Sequence, residues 1–253
     1  MTRNWRKLGL ATVALLAALT TSVVVITGAQ ADESNLPHFT AFNKATAKHE
    51  NAVLKGTIEE GPHELRTLTK TFCHHVEYEA TLTGGLGESL TATPKFFGHK
   101  GLTTAPECES EGATETWTTD IEMNGCDFKY PITTEISGTT YTSRPDILCP
   151  PGKQIDIKIT KPGNATCTVQ IPEQKNIGHS FIYNKVTGDG REDITIENAW
   201  QGFSYSTSPA VNCGVPDKTW TNGEYKGKVT LTAQNEEAKP EPMNITIQKV
   251  VTP

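Results

Sequence analysis

Ile155, Ile157 and Ile159 alternate with Asp156, Lys158 and Thr160, and Cys167, Val169 and Ile171 alternate with Thr168 and Gln170. A period of two sends one set of side chains into a core and the other into water, so both segments are predicted to be strands of an antiparallel sheet with one wet face. The same period runs through residues 117–123, 193–197, 229–233 and 245–247. Pro150-Pro151-Gly152-Lys153 and Lys161-Pro162-Gly163-Asn164 supply fixed φ at Pro and positive φ at Gly, the needs of a type II turn. They predict a meander over residues 144–149, 154–160 and 165–171. Asn222-Gly223 and Gly188-Asp189-Gly190 mark further turns.

Composition agrees with strands, since the chain beyond residue 31 holds 33 Thr and only 10 Leu. Threonine is β-branched and suits a half-exposed strand, while the best helix formers are scarce. One short helix is expected at residues 41–51, where Phe42, Ala45 and His49 share a side. Many short strands with regular turns predict an all-β fold of the antiparallel β-sandwich type, disulfide-stapled and built as two packed sandwich-like halves. The expected division falls at Gly125-Cys126, giving an acidic half at residues 32–125 and a second half at residues 126–253. Residues 32–125 carry 7 Lys and Arg against 15 Asp and Glu, whereas residues 126–253 carry 13 against 14.

Arg3, Arg6 and Lys7 precede an apolar run over residues 8–26 that ends in Ala29-Gln30-Ala31. This is the pattern of a secretory signal peptide, residues 1–31, with cleavage expected after Ala31 and a secreted, extracellular product starting at Asp32. The run exceeds the ~7–15 residues of a usual signal core, so an uncleaved anchor is the alternative. The formal charge of −6 becomes −9 once those three cations are removed. Nucleic acid and anionic membrane are poor partners for such a surface, and no second run of ~18 apolar residues offers a membrane span.

Export places Cys73, Cys108, Cys126, Cys149, Cys167 and Cys213 in an oxidising compartment, where three disulfides are expected. Spacing leaves their connectivity open. An interval of 18 recurs from Cys108 to Cys126 and from Cys149 to Cys167, which would leave Cys73 with Cys213; a rival scheme pairs Cys73 with Cys108.

Among chemical constellations, His63, His74 and His75 invite a zinc reading, but His49-Glu50 and His63-Glu64 are followed at the ligand position by Val53 and Thr67. His74 is instead expected as a semi-buried strand residue. Gly202-Phe203-Ser204-Tyr205-Ser206 ends in Ser where a hydrolase elbow needs Gly, and it lies in a β-rich stretch. Asp189, Glu192 and Asp193 are weak calcium candidates in a loop without the alternating acid spacing of a calcium site. Asn164-Ala165-Thr166 and Asn244-Ile245-Thr246 match glycosylation sequons. Trp200, Tyr205, Trp220 and Tyr225 lie within 26 residues, and flat aromatics on a sheet face are one way to stack a sugar ring. They form the expected ligand site, with core packing as the competing role.

The ordered set Asn124-Gly125-Cys126, Cys149-Pro150-Pro151-Gly152-Lys153, Cys167-Thr168-Val169 and Ile171-Pro172-Glu173-Gln174 resembles a group of uncharacterised secreted proteins of high-GC Gram-positive bacteria. The resemblance covers about residues 90–233 and implies bacterial export and a β-rich fold, without a site. The expectation is therefore a secreted, non-enzymatic binding or cell-envelope interaction protein that needs no cofactor and recognises a glycan or cell-surface component. A secreted hydrolase with a site assembled from distant residues, and a purely structural envelope protein, are the alternatives.

Overall fold

A computed structural model describes residues 37–58, 61–97, 108–111, 116–160 and 166–249; the expected signal peptide and its cleavage point, the turn at residues 161–164 and the sequon residue Asn164 lie outside them. The first strands are β1 (Pro37–Asn43), β2 (Lys48–His49), β3 (Ala52–Ile58), β4 (His63–Arg66), β5 (Lys70–Cys73), β6 (His75–Leu82) and β7 (Leu86–Gly87). β8 (Ser89–Phe97), β9 (Cys108–Glu111), β10 (Thr116–Glu122), β11 (Asp127–Ser137), β12 (Thr140–Ser143) and β13 (Asp146–Leu148) follow. β14 (Ile155–Thr160), β15 (Cys167–Ile171), β16 (His179–Val186), β17 (Glu192–Ser208), one helical turn α1 (Ala210–Cys213), β18 (Trp220–Asn235) and β19 (Pro242–Lys249) complete the order.

The ladders join most of these strands end to end into eight long staves. β3 and β4 lie in line along one edge of β18, which pairs residues 229–235 with β3 and 224–226 with β4. On their far side β6 pairs β3 and β5 pairs β4; beyond those, β8 pairs β6 and β9 pairs β5. The succession continues through β11 and β10, then β12 and β14, then β16 and β15. Both of the last pair with β17, which pairs with β18 and closes the circuit. All neighbours are antiparallel, so the sheet is continuous and closes as an up-and-down barrel.

The all-β antiparallel class is the one the alternation predicts. The expected division at Gly125 is corrected: residues from Ser34 onward form one unit, and strands on either side of Gly125 are ladder neighbours in β8–β11 and β3–β18. Two packed halves do exist, but along the barrel rather than along the sequence. An upper half is walled by β3, β6, β8, β11, β12 and β16, and a lower half by β4, β5, β9, β10, β14 and β15, while β17 and β18 run through both. Gly125, at φ 83°, bends one stave between β10 and β11, with the Cys126 N–H donating to the Met123 carbonyl at 2.8 Å. A tight turn inside a stave and a turn between domains carry the same residues.

Two other expectations change. Residues 41–51 form no helix; they are the end of β1, a turn and β2. Asn43 Oδ1 accepts the N–H groups of Ala45 and Thr46, and this Asx turn outweighs a weak helical pattern. In the meander, β14 and β15 pair as foreseen, but β13 turns to β11 instead of β14.

In β17 a bulge at Gly202, φ 79°, falls where the register shifts between Gln201 and Phe203. Ile194, Ile196, Asn198 and Trp200 are buried before it, and Phe203, Tyr205 and Thr207 after it. One extra residue therefore switches the inward parity from even to odd and lets a single strand line both halves.

The upper end is stopped by β1 and β19, whose Phe39, Ala41, Ile245 and Ile247 are fully buried. Asn184 imitates a ladder partner for β19: its Oδ1 accepts the Ile247 N–H at 2.7 Å and its Nδ2 donates to the Ile247 carbonyl at 2.8 Å. β19 thus has partners on both edges there, β1 on one and β18 and Asn184 on the other. The outer faces of β3, β6 and β8 expose Lys55, Glu77, Glu79 and Lys95. Lysine facing lipid at the bilayer midplane costs roughly 2–4 kcal/mol, so this wall is built for water. No helix among the described residues is long and apolar enough to cross a membrane.

Three disulfides join Cys73 to Cys108, Cys126 to Cys149 and Cys167 to Cys213. The rival pairing of Cys73 with Cys108 is the one formed, and the scheme built on the interval of 18 is overturned. Cys108 lies opposite Thr119 of β10, whereas Cys126 lies seven residues farther along that stave, about 20 Å at strand rise.

Candidate functional site

Period two places Trp200, Tyr205 and Tyr225 inside the barrel, where they are 1, 1 and 2% exposed. As a shared outer platform the expected aromatic site is therefore overturned for these three. Trp200 packs edge-on against Phe128 at 4.6 Å and against Tyr225 at 4.9 Å. Its Nε1 donates to Ser180 Oγ at 2.9 Å, and Ser180 donates to Asn198 Oδ1 at 2.8 Å. Tyr225 Oη lies 2.5 Å from His63 Nδ1 and 2.7 Å from Tyr78 Oη. Burial pushes the hydroxyls of Tyr78, Tyr130 and Tyr225 well above the usual tyrosine range, so all three stay neutral.

This chain of polar groups escaped the sequence reading, yet glycines inside strands signal it, because such a glycine marks a close approach. A Cβ on Gly227 would stand 2.4 Å from His63 Nδ1, one on Gly56 2.6 Å from Tyr78 Cβ, and one on Gly223 2.2 Å from the Phe203 ring. Gly227→Ala is accordingly expected to lower stability by roughly 1–3 kcal/mol, measured by urea unfolding, since the fixed imidazole cannot retreat.

Trp220 differs from its three companions. It is half-buried at the lower mouth, where the β4–β5 and β17–β18 connections meet. One face of the indole stacks on Tyr205, with centroids 6.2 Å apart and planes 8° from parallel. The exposed Lys218 lies over a ring face, its Nζ 3.8 Å from the centroid. Tyr205 Oη donates to Asn222 Oδ1 at 3.1 Å, which fixes the lower ring. Trp220 Nε1, Thr67 Oγ1 and Thr207 Oγ1 are buried without a hydrogen-bond partner among the described residues. Thr67 opens the β4–β5 turn, and Thr207 follows Tyr205 on the inward face of β17. The stacked pair and three buried, unpartnered hydroxyl and indole N–H groups thus fall in the lower half of the barrel.

The lumen behind this mouth is filled. The cavity at the waist measures about 20 Å³ and is lined by apolar side chains, among them Leu65, Phe96, Ile121, Phe128 and Phe203. That space is too small for an organic ligand and offers no polar contact. In the lower half, Thr71, Ser110 and Thr119 satisfy one another through hydroxyl contacts of 2.6 and 2.5 Å.

The remaining candidates are accounted for. Asp189 accepts from Thr187 and from the Arg191 N–H, which holds its carboxyl below the usual range; Asp193 is buried and receives both Arg191 Nε and Nη2; Glu192 accepts from Asn244 Nδ2. The weak calcium candidates are thus a hairpin tip whose acids already have partners, and among the described residues no group of three His, Cys, Asp or Glu side chains is placed to hold a metal. His63 points inward, His74 is exposed at the bend between β5 and β6 rather than semi-buried, and His75 contacts Glu77 at 3.1 Å. Ser204 is a strand residue whose N–H donates to Gln174 Oε1 at 2.6 Å. Asn244 is 7% exposed and already hydrogen-bonded, so the folded protein shields that sequon.

Comparison with protein-family models, with curated proteins and with solved structures returns no match to this chain.

Proposed function

We propose that the chain is an exported, non-enzymatic recognition protein that binds a saccharide of the cell surface or envelope at the lower mouth, on the Trp220 ring. The observation that carries this reading is an indole held rigid on Tyr205 and covered by a flexible lysine. Displacing Lys218 forfeits roughly 0.5–1 kcal/mol of exposed cation–π attraction, less than a stacked ring with new hydrogen bonds returns. Trp220 Nε1, Thr67 Oγ1 and Thr207 Oγ1 are sealed from solvent, so the surface offered to a saccharide is the indole face itself. Export rests on the N-terminal pattern of Arg3, Arg6, Lys7 and Ala29-Gln30-Ala31. The three disulfides fit an extracellular protein.

The test is capture on an array of envelope polysaccharides and oligosaccharides. Wild type is expected to bind one class, Trp220→Ala to bind it at least tenfold more weakly, and Lys218→Ala several-fold more tightly. Equal binding by Trp220→Ala removes the mouth as the site, and no capture by wild type overturns the saccharide reading. N-terminal sequencing of protein from the culture medium should begin at Asp32.

A further inference from the structure

His63 is a titratable side chain sealed at the waist, where the two halves of the barrel meet. It is 1% exposed, opens β4 and stands opposite Cys73 of β5. Its Nδ1 is 2.5 Å from Tyr225 Oη and its Nε2 is 3.4 Å from the Lys228 carbonyl oxygen, both on β18. A carbonyl only accepts, so Nε2 carries the proton of the neutral ring and Nδ1 accepts from the Tyr225 hydroxyl. Gly227 lies directly against the ring, leaving no gap for water beside Nδ1.

The groups that face the imidazole are neutral. From β18 comes the Tyr225 hydroxyl, from β6 that of Tyr78 with its ring at 6.2 Å, and behind them, on β11, Tyr130. Burial keeps all three hydroxyls protonated, and on β5 Cys73 is locked in its disulfide. Among the described residues no carboxylate contacts the ring, so nothing there offsets an imidazolium charge. Burial accordingly holds the His63 pKa down, at about 4 against the ordinary 6.5, with the Lys228 carbonyl acting weakly the other way.

We propose that His63 makes the β4–β18 seam acid-labile: protonation of its imidazole on mild acidification releases β4 from β18 at the waist, while the pairing of β4 with β5 and the Cys73–Cys108 bridge keep the β4–β5 hairpin attached to β9. The folded state disfavours the charged ring. Its contribution is therefore complete above about pH 6.5 and is lost as pH falls toward 4. At pH 4.5 those two values give the opened seam roughly a 70-fold larger share than at pH 7.5.

Hydrogen exchange read as protection factors tests this. For amides of β4 and residues 224–226, protection is expected to drop roughly 70-fold from pH 7.5 to pH 4.5. The β16–β17 ladder at the upper end is expected to keep its protection. His63→Gln, uncharged throughout, is expected to abolish the drop. Unchanged seam protection in wild type, an equal drop in His63→Gln, or an equal drop through β16–β17 would each overturn the proposal. Should the Gln variant fail to fold, the wild-type imidazole followed by NMR decides: titration near 4 together with seam opening supports the seam, and titration near 6.5 refutes it.

Discussion

Reduction and alkylation of all three disulfides is expected to unfold the barrel at 25 °C and neutral pH, with loss of near-ultraviolet dichroism and of any sharp urea transition. The bridges span separations of 35, 23 and 46 residues. In the chain-entropy account each contributes roughly 3–4 kcal/mol, so together they supply about 10 kcal/mol, comparable with the whole ~5–15 kcal/mol stability of a typical domain. Their placement reinforces the effect. Cys73 ends β5 at the bend of His74, Cys108 opens β9, and Cys126 and Cys149 lie where β10 gives way to β11 and β13 ends. Two bridges therefore staple the waist, where the staves are interrupted and ladder hydrogen bonds are missing. The third ties β15 to α1 at the lower mouth. Closure also depends on the pairing of β3 with β18, residues more than 170 apart in sequence, the kind of distant contact that an unconstrained chain forms slowly. Replacing both Cys167 and Cys213 by Ala is expected to cost about 4 kcal/mol and leave a folded protein that melts earlier. Retention of native dichroism by fully reduced protein would show that packing alone holds the barrel.

What the sequence discloses is faces, and what it withholds is neighbours. Ile155, Ile157 and Ile159 announce an inward face through their spacing, and the structure buries all three. The period says nothing about which strand lies alongside, so β13 was free to turn to β11, and Cys73 could be matched with Cys108 only once β5 and β9 were seen as neighbours. The Gly125 turn read as a border because a bend within a stave and a break between domains use the same residues. For the aromatics the difficulty is of another kind. Trp200 and Trp220 share one residue type and one strand pair, yet Trp200 sits at the waist and Trp220 at the mouth, a difference set by position along the barrel and by the bulge at Gly202. Burying aromatic rings and presenting one to solvent call for the same alternation; only the end of a strand tells them apart.

That distinction yields the second large effect: Trp200→Ala is expected to destabilise the protein by roughly 3–5 kcal/mol in urea unfolding. The indole fills the waist between Phe128, Tyr225 and Tyr130, with centroid distances of 4.6, 4.9 and 6.3 Å, and Gly178 packs so closely that its Cβ would stand 2.5 Å from Trp200 Cα. Removal also strips Ser180 Oγ of the donor at 2.9 Å while Asn198 still engages it. Trp200→Phe retains most of the apolar contact and forfeits the N–H donor, so a smaller loss of about 1–3 kcal/mol is expected. Trp220→Ala, at the mouth with one face under a solvent-exposed lysine, should cost no more than about 2 kcal/mol, because less of its surface is buried. The order of stability losses is thus Trp200→Ala, then Trp200→Phe and Trp220→Ala, while saccharide capture should be lost only in Trp220→Ala. A Trp200→Ala variant that melts like wild type would mean that the upper and lower cores do not pack through this ring, and a Trp220→Ala variant that loses as much stability as Trp200→Ala would make the mouth part of the core.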